Sequence, residues 1–123
     1  ADMLAAYEPP PIDGAVDAIR VMVENGVDIV EIGLPYSDPL MDGPTIQAAS
    51  EISLRQGTTV RDVLATAEAV AATGAPTLVM TYWSPIERYG VQAFATDLAT
   101  RKFQGYACKV RKVTANSVEV ELK

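Results

Sequence analysis

VDIVEIGLPYSDPLMDGPTIQ, residues 27–47, decides how this chain is read. Its first eight residues (27–34) are apolar and β-branched without clean alternation, the pattern of a buried strand in a parallel sheet. Asp28 stands at the start of that run, and Glu31 is the one acid in its middle. The strand then breaks into a loop stiffened by Pro35, Pro39 and Pro44, and the loop carries two more acids, Asp38 and Asp42. In parallel sheets, sites form at the C-terminal ends of strands, on the loops that follow. Glu31 and Asp42 are therefore candidate site residues. A carboxylate in apolar surroundings has its charged form disfavoured and moves toward the working range of a proton donor or acceptor. A loop carboxylate stays ionised and accepts a hydrogen bond from a substrate N–H. Two such acids can divide proton transfer from anchoring. The bland alternatives are a satisfied strand acid for Glu31, and turn aspartates for Asp42 before Gly43 and Asp38 before Pro39.

Outward from this stretch, strands alternate with helices. MLAAY (3–7) reads as a short strand, stopped by three prolines. Asp13 is placed to cap a helix over 14–25, with Val16, Ile19, Met22 and Val23 on its apolar stripe and Gly26 as its stop. Residues 45–56 form a helix begun by Thr45. Thr59 caps another over 60–73, with Val60, Leu64, Ala67 and Ala71 on one face. PTLVMTY (76–82) is a second buried strand. A turn at Ser84-Pro85 leads to a last helix over 86–99, with Val91, Phe94 and Leu98 inward. Tyr82, Trp83 and Tyr89 are core or rim aromatics by default. This order implies a parallel sheet with helical crossovers.

The last twenty residues follow a period of two, which predicts an antiparallel β-hairpin turning near 115–117. Lys109 and Arg111 are expected to face Glu119 and Glu121 across it. An isolated hairpin is marginal in water, so it should lie on the edge or face of the preceding part. Three strands also leave open edges and a bare sheet face. That predicts a homo-oligomer.

Composition narrows the chemistry. The chain has 123 residues, one cysteine and no histidine. That excludes an intrachain disulfide, a Ser-His-Asp triad and histidine-type zinc sites. The net charge of −6 argues against a nucleic-acid partner. It hides a split: residues 1–100 carry 14 acids and four arginines, whereas 101–123 carry six basic residues and two acids. Two segments of different origin are expected. No apolar run approaches the ~20 residues of a membrane span, and no signal sequence is visible, so a cytoplasmic protein is expected.

EIGLPYSDPLMDGPTIQ (31–47) resembles the signature of the tryptophan synthase alpha chain family, and VMTYWSPIERYGVQAFATDLA (79–99) resembles it as well, in the style of high-GC Gram-positive bacteria. The resemblance covers about residues 12–99 and reaches back toward residue 3. It implies an α/β fold, a partial (β/α)8 TIM-barrel segment with parallel strands over 1–100, to which the C-terminal antiparallel hairpin of 101–123 is joined. It implies cleavage of indole-3-glycerol phosphate to indole and glyceraldehyde 3-phosphate in tryptophan biosynthesis. No metal or organic cofactor is expected in this subunit. The family's catalytic Glu falls on Glu31, the proton-transferring group, and its catalytic Asp on Asp42, which holds the indole N–H. Tyr82 becomes a candidate substrate-binding residue. The loop with Ser37, Asp38 and Pro39 resembles the part that contacts the β subunit, so Asp38 and Pro39 are candidate partner-interface residues.

Departures accompany the match. MLAAYEPPPID differs from the family's first-strand turn, and Ser84 stands where the family usually has Asn. The match is expected to stop after Ala99. The family's later strands, with a catalytic tyrosine and glycine-rich phosphate loops, have no counterpart in this sequence. The alternative reading is thus a recombined, catalytically inactive fragment that forms a folded oligomeric scaffold.

Overall fold

The computed structural model describes residues 12–101, 108–113 and 118–122. The expected strand at 3–7 and the turn near 115–117 lie outside them. Among the described residues, nine elements follow in chain order: α1 (Ile12–Glu24), β1 (Val30–Gly33), α2 (Pro44–Arg55), α3 (Val60–Ala71), β2 (Thr77–Met80), α4 (Trp83–Tyr89), α5 (Val91–Thr100), β3 (Cys108–Val113) and β4 (Val118–Leu122).

β1 and β2 pair in parallel, Glu31 opposite Leu78 and Gly33 opposite Met80. The ladder is closed at its two ends by Val30 N–H on the Pro76 carbonyl and Leu34 N–H on the Met80 carbonyl, both at 2.9 Å. The strands are shorter than expected, and they alternate after all. Val30 is buried and Ile32 and Val79 half-buried, while Glu31, Gly33, Leu78 and Met80 are exposed. Period two puts the second set on one face of the sheet. Helices cover only the opposite face. The continuous apolar run is that of a strand meant for two covered faces, and among the described residues one face is bare.

The core lies on the covered side. Leu34, Val63, Leu64 and Phe94 form its centre, with Ile32, Val60, Val79, Ile86, Tyr89 and Leu98 packed around them. α3 is the central helix: Val63, Leu64, Ala67, Val70 and Ala71 are all buried. A capping box starts it. The Thr59 side chain accepts from Asp62 N–H (3.2 Å), and Asp62 Oδ2 accepts from both the Thr59 N–H (2.8 Å) and its hydroxyl (2.7 Å). These bonds to Thr59 hold the Asp62 carboxyl below the usual aspartate value of 3.8. α1 packs on α3 through buried Val16, but Met22, expected on its inner stripe, is exposed.

Three helix starts differ from the sequence reading. α1 already begins at Ile12, so Asp13 lies within it rather than before it. α2 begins at Pro44 with Gly43 as N-cap, one residue before Thr45. Proline suits a first helical position because its missing N–H would have no partner there. Ser84 and Pro85 sit in the first turn of α4 instead of forming a turn. The expected single helix is divided at Gly90, whose φ of +98° no helix residue adopts.

β3 and β4 pair antiparallel as a separate two-stranded sheet, not hydrogen-bonded to β1–β2. Of the two placements expected, edge or face, pairing along the edge of the parallel sheet does not occur. Lys109 lies opposite Glu121 as expected, but Glu119 lies opposite Lys112, because an irregularity between Val110 and Lys112 shifts the register past Arg111.

Candidate functional site

The loop after β1 starts from a fixed point, since Leu34 is buried and its N–H is bonded to β2. It then folds on itself. Leu40 N–H donates to the Asp38 carbonyl (2.8 Å) and Asp42 N–H to the Pro39 carbonyl (3.0 Å). Ser37 Oγ donates to Asp38 Oδ2 at 2.7 Å. Two side chains from other elements reach the same corner. Tyr82 Oη, from the N-cap of α4 just past β2, accepts the Met41 N–H at 3.0 Å. Gln47 Nε2, from the first turn of α2, donates to the Asp42 carbonyl at 2.8 Å and to the Pro39 carbonyl at 3.3 Å. The Tyr82 ring rests on Tyr36, centroids 5.0 Å apart.

A cleft of about 700 Å³ opens where β1 and β2 end. Asp42, half-buried, lines it together with Gly33, Met41, Met80, Tyr82 and Trp83. A second cleft, about 620 Å³, is bordered by Tyr36 and Ser37 of the same loop and by Arg61 and Arg88.

The structure therefore brings two predicted site residues, Asp42 and Tyr82, to one cleft. Tyr82 is half-buried rather than core, and its hydroxyl is engaged by backbone. Trp83 is exposed at the rim. Glu31 does not have the environment expected of it. It is exposed rather than buried, because nothing among the described residues lies over its face of the sheet. The desolvation argument for it does not apply to that side chain. Glu31 does not itself line the Asp42 cleft, but it shares its sheet face with Gly33 and Met80, which do. Asp38 is exposed and Pro39 half-buried on the loop.

Gln47 was missed by sequence reasoning. The available signal was its spacing, four residues after Gly43, which puts a long polar side chain in the first turn of α2 beside the loop that precedes it. Among the described residues, no group of three His, Cys, Asp or Glu is placed to hold a metal ion, and no helix is long and apolar enough to cross a membrane.

The chain is similar to known proteins. A family model described as tryptophan synthase alpha chain matches residues 3–108. The match runs past Ala99, where the resemblance was expected to stop, and into β3. The tryptophan synthase alpha chain of Salinispora tropica is 58% identical over 90 residues, 73% of this chain and 34% of that one. The Nocardia farcinica alpha chain is 57% identical over 99 residues, 78% of this chain and 37% of that one. Among solved structures, tryptophan synthase from M. tuberculosis in its aminoacrylate-bound form superimposes with a TM-score of 0.67 at 56% identity, covering 71% of this chain and 36% of that one. The alpha chain from Legionella pneumophila gives 0.64 at 34% identity, with coverages of 71% and 33%. The chain spans about a third of the length of the curated relatives it matches. On motif, fold and the extent of the match together, the chain belongs to the tryptophan synthase alpha chain family.

Proposed function

We propose that this chain carries the proton-transfer and indole-anchoring part of the alpha-subunit reaction, cleavage of indole-3-glycerol phosphate to indole and glyceraldehyde 3-phosphate. The observation that carries the reading is the shared cleft. Asp42 and Tyr82 line it, and Glu31 lies on the sheet face that forms its floor at Gly33 and Met80. The Asp42 carboxylate accepts the indole N–H, which favours positive charge on the ring as it is protonated. Glu31 moves protons: the ring carbon bearing the side chain gains one, and the adjacent side-chain hydroxyl loses one as the C–C bond breaks. The hydroxyl carbon leaves as the aldehyde, so the proton account closes without a cofactor. Tyr82 forms a wall for the indole.

Asp38 and Pro39 belong to a docking loop for a β subunit, and the adjoining cleft with Arg61 and Arg88 gives that loop a concave neighbour. Residues 1–100 act as a partial (β/α)8 segment and 101–123 as a basic hairpin unit. Support comes from the separate sheets and from the charge split. A cytoplasmic setting is part of the same proposal.

The test is indole release from indole-3-glycerol phosphate by the purified chain, with and without a β subunit. Glu31→Gln is expected to lower the rate by about 100-fold or more, the scale of a lost acid/base group. A rate unchanged by Glu31→Gln overturns the role of Glu31. No release by the unaltered chain in either condition supports the inactive-scaffold alternative instead.

A further inference from the structure

We infer that Tyr82 and Gln47 are positioning residues that hold the Asp42 loop in its working shape, a role that rests on the proposed function only for its catalytic consequence. Packing holds the base of this loop, through Leu34 and the Tyr36 ring, but not its tip. Leu40 and Met41, the two residues before Asp42, are 88% and 89% exposed. Hydrophobic burial, which fixes most loops that carry large apolar residues, contributes little here. What remains is hydrogen bonding to the backbone. The Met41 N–H is taken by Tyr82 Oη and the Asp42 carbonyl by Gln47 Nε2, at 3.0 and 2.8 Å. These two bonds grip the peptide units on either side of the Asp42 N–H, which the loop's own Pro39 carbonyl accepts. Gln47 also reaches the Pro39 carbonyl, so one side chain ties both ends of the tight turn.

The two clamps come from different elements. Tyr82 stands two residues past β2 as the N-cap of α4, and Gln47 in the first turn of α2. The loop is thus referenced to two helix starts at once. A misplacement of about 1 Å in a group that meets substrate is costly, and two anchors from rigid elements suppress it. The Tyr82 hydroxyl serves this contact as an acceptor.

The experiment uses amide hydrogen exchange by NMR on the full chain, followed by titration with indole. Tyr82→Phe keeps the ring on Tyr36 and removes the acceptor. Gln47→Met keeps length and helix propensity and removes both donors. Each is expected to speed exchange at Met41 or Asp42 about five-fold or more, the scale of one lost hydrogen bond, while amides of α3 around Leu64 stay as slow as before. Tyr36→Phe is the ring control and should leave these rates alone. Indole affinity should fall about three- to ten-fold in the two clamp variants. Unchanged exchange at Met41 and Asp42 in both variants overturns the inference. Faster exchange in the variants, with no indole binding even to the unaltered chain, upholds the clamp and overturns the proposed function instead.

Discussion

Leu64→Ala and Leu78→Ala make a pair that tests the one-sided sheet directly. Leu64 has no exposed surface and sits at the centre of the core, against Leu34, Val63 and Phe94. Truncation removes three carbons, about 2.4 kcal/mol of transfer free energy at ~0.8 per carbon. The cavity left behind adds to that, and Leu→Ala at buried sites costs about 2–5 kcal/mol in all. About 3 kcal/mol is expected here. Leu78 lies on the other face of β2 and is 51% exposed. Half its surface already meets water, so its truncation should cost under about 1 kcal/mol. Urea unfolding followed by far-UV circular dichroism reads both. With a slope of about 1.5 kcal/mol per molar, Leu64→Ala should lower the midpoint by about 2 M, and Leu78→Ala by well under 1 M. Equal losses would refute the reasoning, because Leu78 would then be buried in solution. If the Leu78 loss also grew with protein concentration, a second copy would be the cover, as the sequence-based oligomer expectation has it.

Other perturbations bear on single local devices. Thr59→Ala removes one half of the capping box and should cost about 1 kcal/mol in the same unfolding assay. The cap is also acid-sensitive. The Asp62 carboxyl is held below its ordinary value of 3.8 in the folded chain, so its stabilising effect is fully present above that pH and is lost as pH falls through the lower folded value. Stability measured between pH 5 and 2 should fall less steeply in Thr59→Ala than in the unaltered chain. Gly90→Ala should destabilise by about 1 kcal/mol, read as a lowered melting temperature, because φ there is +98° and an added Cβ gains only an ordinary contact with Ala93.

What was legible in the sequence was what is local. The α3 start was readable because Thr59 and Asp62 carry the capping signal within four residues. The order of strands and helices was readable because β-branched runs and 3.6-residue stripes are local patterns. The break at Gly90 was hidden, since the apolar stripe runs on through Ile86, Tyr89 and Phe94 as if one helix continued. The shift at Arg111 was hidden for the opposite reason: strict alternation in the sequence does not reveal a slip in the pairing of two strands. Gln47 escaped notice because its partners are backbone carbonyls, which have no signature in the side chains around it.

Glu31 shows where local reading ends. Its place within a strand, two residues before the cleft wall, follows from sequence. Its burial does not, because burial depends on what covers the face. On a two-stranded sheet with helices on one side, Glu31, Leu78 and Met80 all meet solvent. A carboxylate there keeps its hydration. Closing a wall over the face would bury Leu78 and Met80 and desolvate the acid beside them in one step. Asp42 is less dependent on that wall, since its loop is already bonded to Tyr82 and Gln47. The loop that carries Asp42 is therefore preset within this segment, whereas the surroundings of Glu31 depend on what covers a face that is bare among the described residues.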